Sequence, residues 1–161
     1  MPVALNLFIV CHMRWICVLL LLVCCSRYSP ERISKDTLDQ FIEIFGTKYQ
    51  LALVEQRVGR ESLILRFEGS KRWKLEEARA CITDGVSTLL NSIRQEGEEK
   101  HDRYLREFPI DDLDFTINLL TSDSIHISHA YLLDGTLYYS VWDPGQKKLK
   151  RVTQERFTPP E

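Results

Sequence analysis

The chain has 161 residues, 44% hydrophobic and 27% charged, with a formal net charge of −2. That is the size of one domain, without repeats or low-complexity stretches, and the lack of a basic stripe argues against nucleic acid as a partner. Of the five cysteines only Cys81 lies beyond position 25; there is no disulfide framework and no Cys/His zinc spacing, and no cofactor is implied.

Trp15 to Val23 is an unbroken apolar run of nine residues, preceded by Met13 and Arg14 and followed by Cys24, Cys25 and Ser26. A short positive region, an apolar core and small residues at a cut site form the order of an export signal. At about 1.5 Å per residue such a run covers under half of a ~30 Å hydrocarbon core, too little to span it alone. Val3 to Val10 is also mostly apolar. Read with it, residues 3–25 approach spanning length, but Arg14 then sits mid-membrane at a cost of roughly 2.5–3.5 kcal/mol. Initiation at Met13 instead of Met1 removes that conflict.

Leu22-Val23-Cys24-Cys25 resembles the lipobox of bacterial lipoproteins: an aliphatic residue, two small ones, then the cysteine that takes the lipid. With Cys25 as the lipidated residue, Cys24 holds the place usually taken by Gly, Ala or Ser. Cys24 is the alternative lipid site, and Val23 fits that place less well. The resemblance implies a signal segment over 1–25 and a protein of the bacterial cell envelope, membrane-anchored at the outer membrane or periplasmic face through its N-terminal lipid. Ser26 is compatible with passage to the outer membrane. The same residues allow a secreted protein with an ordinary cleaved signal, or an N-terminal membrane span.

Cleavage before Cys25 leaves 137 residues, 20 basic against 23 acidic, enough to bury a core without disulfides. Residues 26–32 are polar and read as a tether; 33–158 read as one domain. Ser34 is a helix N-cap, with Ile33 and Leu38 placed as a hydrophobic staple. Leu38, Phe41, Ile42 and Phe45 keep helical spacing up to Gly46, a natural stop. Leu51 to Val58 and Ser62 to Glu68 are strands. Leu63, Leu65 and Phe67 share one face of the second, and Gly59-Arg60 suits a type II′ turn between them.

A longer helix follows. Leu75, Ala78, Ile82, Val86, Leu89, Leu90 and Ile93 form one buried stripe, with Cys81 packed among them. Tyr104, Leu105 and Phe108 read as a continuation on the same face, ended by Pro109. The last third alternates. Phe115, Ile117 and Leu119 lie on one face, and a turn at Ser122-Asp123 follows. Ile125, Ile127, Tyr131 and Leu133 share one face of the next strand. Asp134-Gly135 marks a hairpin. Leu137, Tyr139 and Val141 then oppose Tyr138, Ser140 and Trp142. Asp143-Pro144-Gly145 is a turn with Gly145 taking the reversed φ, and Lys147 to Val152 is an edge strand. The order α-β-β-α-β-β-β-β predicts an α+β fold: an antiparallel sheet, made of a β-hairpin plus a four-stranded meander, with two helices packed on one face.

Candidate chemistry is sparse. His126 and His129, three apart on a predicted strand, point to opposite faces and cannot share a metal. Glu98, His101 and Asp102 fall on one face if the helix continues, beside Glu99, and could hold a divalent cation loosely or poise a histidine as a base. Asp111, Asp112 and Asp114 read as a solvated loop. Ser128, Ser140 and Thr116 lie in strands and not at a nucleophile elbow. Tyr138 and Trp142, on the outer face of their strand, can anchor a partner. These residues point to a binding module with an envelope protein as partner; an exported hydrolase or a purely structural envelope protein is the alternative.

Overall fold

The computed structural model describes residues 29–158; the expected signal segment over 1–25, with Cys24 and Cys25, lies outside the described residues. The described part of the expected tether folds against the domain. Pro30–Arg32 is a single 3-10 turn capped by the Ser29 hydroxyl, and Pro30 is buried.

Helix α1 runs Lys35–Tyr49. Ser34 caps it as expected, its hydroxyl accepting from the Thr37 N–H at 3.2 Å. The Ser34 N–H in turn donates to the distant carboxylate of Glu96, at 2.9 Å to one oxygen. Ile33 and Leu38 are both buried, as a staple requires. Gly46, however, does not end the helix. The left-handed residue is Gln50, with φ 56°. Gly46 acts one turn earlier: its carbonyl accepts the Leu51 N–H at 2.9 Å, and a Cβ there would stand 2.9 Å from the Leu51 carbonyl oxygen. The glycine permits the chain's return by being small, not by changing hand.

Strands β1 (Ala52–Val58) and β2 (Leu63–Gly69) pair antiparallel. The turn between them is not the expected type II′, because Gly59 lies outside the left-handed region. Gly59 donates its N–H to the Ser62 carbonyl at 2.9 Å and so closes the turn, with Arg60 and Glu61 at its tip. Leu63, Leu65 and Phe67 of β2 are fully buried on one face.

Helix α2, Leu75–Glu99, carries the predicted stripe from Ala78 to Ile93 into the core. The expected continuation fails at its end. His101 takes φ 52°, and Asp102 caps a separate short helix α3 (Arg103–Arg106) through the N–H groups of Tyr104 and Leu105. Tyr104, Leu105 and Phe108 are buried all the same. They reach the core because the chain folds back onto α2 at Gly97, where a Cβ would lie 2.5 Å from the Arg106 nitrogen.

Strands β3 (Leu113–Leu119), β4 (Ile127–Leu133), β5 (Thr136–Asp143) and β6 (Lys148–Arg156) complete a six-stranded sheet in the order β1-β2-β3-β4-β5-β6. The fold is α+β and the sheet mostly antiparallel. The single parallel pair is β2 with β3, in register from Leu63 with Leu113 to Gly69 with Leu119. A helix that runs back along the sheet returns the chain to the end it left, so the two strands it joins run the same way. The local hairpin signals carry no information about that junction.

Two turns depart from expectation and one strand changes face. Ile125, Ile127, Tyr131 and Leu133 do not share a side. A register shift between Ile127 and His129 turns Ile127 into the core while Tyr131 and Leu133 face away, and Ile125 stays outside the strand, 78% exposed. A β-bulge adds one residue, and one residue reverses parity. In the β5–β6 turn the reversed φ falls on Lys147, at 50°, not on Gly145; four residues separate the paired ends Asp143 and Lys148, the length of a loop built on a type I turn. Asp134 and Gly135 do take φ 48° and 63°, as a type I′ hairpin demands.

The core is one cluster between the helices and one face of the sheet. At its centre the Phe45 ring meets Phe67 at 5.0 Å and Phe115 at 5.5 Å, both near edge-to-face. Cys81 is buried and free, and burial pushes its thiol far above the usual range. Leu89, fully buried on α2, gives a direct check on this register. Leu89→Asp places an unpaired charge in the core and should cost about 4 kcal/mol or more, abolishing the cooperative melt followed by circular dichroism; an unaltered melt would refute the helix register.

Candidate functional site

Among the described residues, helices cover one face of the sheet and leave the other open. Strand alternation sends every second side chain to that open face, and the parallel β2–β3 junction brings β2 into the middle of it. Two rungs of residues cross the sheet as a result. In one, Glu55, Arg66, Thr116, Tyr131, Tyr138 and Gln154 are successive cross-strand neighbours. In the other, Glu68, Asn118, His129, Ser140 and Arg151 follow one another.

The first rung is aromatic at one end and ionic at the other. Tyr131 and Tyr138 stack with ring centres 4.8 Å apart and planes 13° from parallel. The Arg151 guanidinium lies 4.7 Å from the centre of the Tyr138 ring, a cation–π distance. Toward β1, Arg66 donates to Glu55 at 2.8 Å. Beside them the Thr116 hydroxyl donates to Asp114 at 3.2 Å.

The second rung centres on His129. Its Nδ1 lies 2.5 Å from the Asn118 Oδ1 and its ring 5.0 Å from that of Tyr131. An amide oxygen only accepts, so Nδ1 carries the proton and Nε2 keeps its lone pair. Burial, and then the nearby Arg66 charge, hold the His129 pKa below its ordinary value, with Asp114 partly opposing. Arg66, Asp114, Thr116, Asn118, His129 and Tyr131 line a depression of about 300 Å³. Toward the next end of the face, Leu120, Trp142 and Leu149 line a wider hollow of about 500 Å³.

Tyr138 and Trp142 therefore stand where the sequence places them, on the outer face and half-buried. Tyr138 is held between Tyr131 and Arg151. The Trp142 backbone N–H donates to the Ser128 hydroxyl at 2.8 Å, which fixes the strand under the indole and leaves Ser128 engaged.

The other candidates disperse. His126 is not on the strand but in the loop before it, its Nδ1 2.9 Å from Asp123. That carboxylate also accepts the Ile125 and His126 N–H groups. The His126 side-chain bond, helped by those backbone bonds, pulls its pKa down to about 2. Glu98, His101 and Asp102 do not converge: α2 ends at Glu99, one residue past Glu98, His101 is exposed beyond it, and Asp102 is a buried cap paired with Arg32 at 2.5 Å. Of the three aspartates, Asp112 accepts the Tyr104 hydroxyl at 2.6 Å, Asp111 is exposed, and only Asp114 joins the open face. Among the described residues no group of three or more His, Cys, Asp or Glu could hold a metal ion.

Arg66, Asn118, Tyr131 and Arg151 are the members of this face that sequence reasoning passed over. Their signal was polar and aromatic residues at the off-core positions of four strands, legible only once the strand order is known. A separate recess of about 180 Å³ between α1 and α2 is lined in part by Glu96, whose carboxylate is already spent on the start of α1. The arrangement can bind; of its hydroxyls, Thr116 donates to the Asp114 carboxylate and Ser128 accepts the Trp142 N–H. No family model, curated protein or solved structure matches the chain.

His129 gives the face a measurable signature. Its folded pKa lies below the ordinary 6.5, so as pH falls the unfolded chain takes up a proton that the fold resists. Stability contributed here is present above about pH 6.5 and declines below it. The urea midpoint should be lower at about pH 5.5 than at about pH 7.5, and His129→Gln should flatten that difference; an equal pH response in the variant would assign the effect elsewhere.

Proposed function

We propose that the chain is a membrane-tethered binding module of a bacterial cell envelope, held by a lipid on Cys25, with Cys24 as the alternative, and engaging an envelope protein through the open sheet face around Tyr138 and Trp142. The observation that carries this reading is the uncovered face bearing Tyr131, Tyr138, Arg151 and Trp142 in neighbouring positions. Tyr, Trp and Arg are the side chains that dominate interface energetics, because each offers a large contact area together with a polar group. The stack holds Tyr138 in one orientation before any partner arrives, which lowers the entropy lost on binding. A tether confines such a face to a thin layer and raises its effective concentration for neighbours there. Among the described residues no helix is long and apolar enough to cross a membrane, and the leader that would carry the anchor lies outside them.

One observation favours a second reading, an exported hydrolase. His126 and Asp123, 2.9 Å apart, have the spacing of a base and its orienting acid. Among the described residues no hydroxyl or thiol is bonded to that ring, and Asp123 is shared with two backbone N–H groups.

Two measurements test the proposal. Metabolic labelling with a lipid precursor should mark the protein and fail for Cys25→Ala; labelling that survives until Cys24 is also changed would move the site. A photo-crosslinker at position 138 or 142 in intact cells should give a discrete protein adduct that the same probe at the exposed Glu43 of α1 does not. Tyr131→Ala should reduce the adduct by about tenfold, the effect of one interface aromatic worth ~1.4 kcal/mol. Equal adducts from both faces would sink the binding face, and an activity abolished by His126→Ala would favour the hydrolase.

A further inference from the structure

The domain has two ends of different chemistry. α2 starts beside the last residues of β2 and finishes beside the first of β3, and its 25 residues span roughly 37 Å. The chain enters at the α2 C-terminal end, where Ser34 meets Glu96 and Arg32 meets Asp102. Three loops gather at the opposite end: residues 70–74 between β2 and α2, 120–126 between β3 and β4, and 144–147 between β5 and β6. A bridge between Trp73 and Ile127 ties the first two together, and Ile127 pairs with Val141 just before the third.

Aliphatic side chains protrude from this end. Leu120 is 68% exposed and Ile125 78%, both in the 120–126 loop; a single exposed aliphatic is ordinary on a protein surface, and what sets these two apart is the charge around them. Leu149, opposite Trp142, is also exposed. Cations surround them. Lys71, Arg72 and Lys74 are exposed in the first loop, and Lys147, Lys148, Lys150 and Arg151 crowd five positions at the start of β6. Among the described residues Lys71, Lys74, Lys147 and the β6 lysines Lys148 and Lys150 form no ion pair. The acids at this end are mostly occupied. Asp123 holds His126 and approaches Arg72 at 3.7 Å, Asp143 accepts the Gly145 and Gln146 N–H groups, Glu77 accepts the Lys74 N–H and Glu76 pairs with Arg79. Glu68 remains on the open face nearby.

We propose that this three-loop end docks on an anionic lipid bilayer, with Leu120 and Ile125 entering the headgroup–acyl boundary and the lysines around the start of β6 lying among the headgroups. Isolated aliphatic tips ringed by cations match a bilayer interface, which accepts a side chain of any shape and rewards positive charge near anionic lipid. A protein partner would need pockets complementary to each tip. A polynucleotide would use the lysines but leave Leu120 and Ile125 wet. The inference uses neither Cys25 nor Tyr138; Cys25 stands four residues before Ser29, a reach of about 14 Å, and Ser29 lies at the far end of α2, so a domain anchored through Cys25 would present this pole to a second, facing bilayer.

The apolar leader of the full chain can hold it on any vesicle, so the test must be local. Full-length protein is placed on vesicles of phosphatidylcholine alone and with one third phosphatidylglycerol, and backbone hydrogen exchange is followed by mass spectrometry. Segments 119–127 and 143–151 should exchange about fivefold or more slowly on the anionic vesicles, a difference that ~0.5 M salt removes. Segment 97–112, at the opposite end, should not change. Leu120→Ser with Ile125→Ser, and separately Lys147→Glu with Lys148→Glu and Lys150→Glu, should each lose the slowing while keeping the native melt. The same result in Cys25→Ala separates this proposal from the anchoring one. Exchange that ignores lipid charge, slowing that survives both sets of substitutions, or equal slowing by dextran sulfate without lipid would overturn it, the last showing a polyanion site instead.

Discussion

The edge of the Phe45 ring lies where a side chain on residue 85 would begin: a Cβ on Gly85 would stand 2.6 Å from the nearest ring carbon. That absence of one carbon lets α1 close against α2, so that Phe45 reaches Phe67 on β2 and Phe115 on β3 together. Those two strands are the parallel pair, and α2 is the element that joins them. One close contact thus fixes the first helix, the crossover helix and the central strands relative to one another. Glu96 secures the same assembly from the far end of α2 by accepting the first free N–H of α1. A carboxylate at a helix N-terminus meets both unsatisfied donors and the positive end of the helix dipole, and Lys100, 2.5 Å away, offsets its charge. The backbone and lysine hydrogen bonds outweigh desolvation, so the Glu96 pKa falls although burial acts to raise it.

What was legible in the sequence was whatever depends on near neighbours. The stripe from Ala78 to Ile93, the Ser34 cap, the alternation of β2, β3 and β5 and the Asp134-Gly135 turn all rest on contacts within a few residues, and all appear. Left-handed residues were the poorer guess. Of the glycines expected at reversals, Gly135 takes positive φ; near Gly46 and Gly145 it falls instead on Gln50 and Lys147, Gly59 has none, and His101 carries one where a continuing helix was expected, while Gly46, Gly85 and Gly97 are needed for their lack of a Cβ. Glycine supplies either freedom of hand or freedom of space, and spacing along the chain does not say which. The bulge in β4 was invisible for a related reason: Ser128 is spent on the Trp142 N–H of the next strand, a partner fourteen residues away.

The open face shows the same division. Tyr138 and Trp142 followed from the parity of a single strand. His129, Asn118, Arg66 and Thr116 did not, because they meet across β2, β3 and β4, and β2 reaches β3 only through a 25-residue helix. Each is unremarkable in its own segment. Together they bury a histidine enough to hold it neutral and orient it through one amide, while the ion pair of Arg66 with Glu55 bounds the hollow on one side. A sheet whose second face was meant only for water would seldom stack two tyrosines beneath a guanidinium.

Charge is also sorted along the length of α2. Exposed Glu98, Glu99, Asp111 and Asp134 gather where the helix ends, partly offset by Lys100, Arg103 and Arg106, and the lysine-rich start of β6 lies where it begins. The helix's own dipole points the same way, its amide end at the cationic pole and its carbonyl end at the acidic one. These contributions add, and the domain is an electric dipole lying along α2. Near a negatively charged boundary it feels a torque before any atom makes contact, so most collisions begin in one attitude.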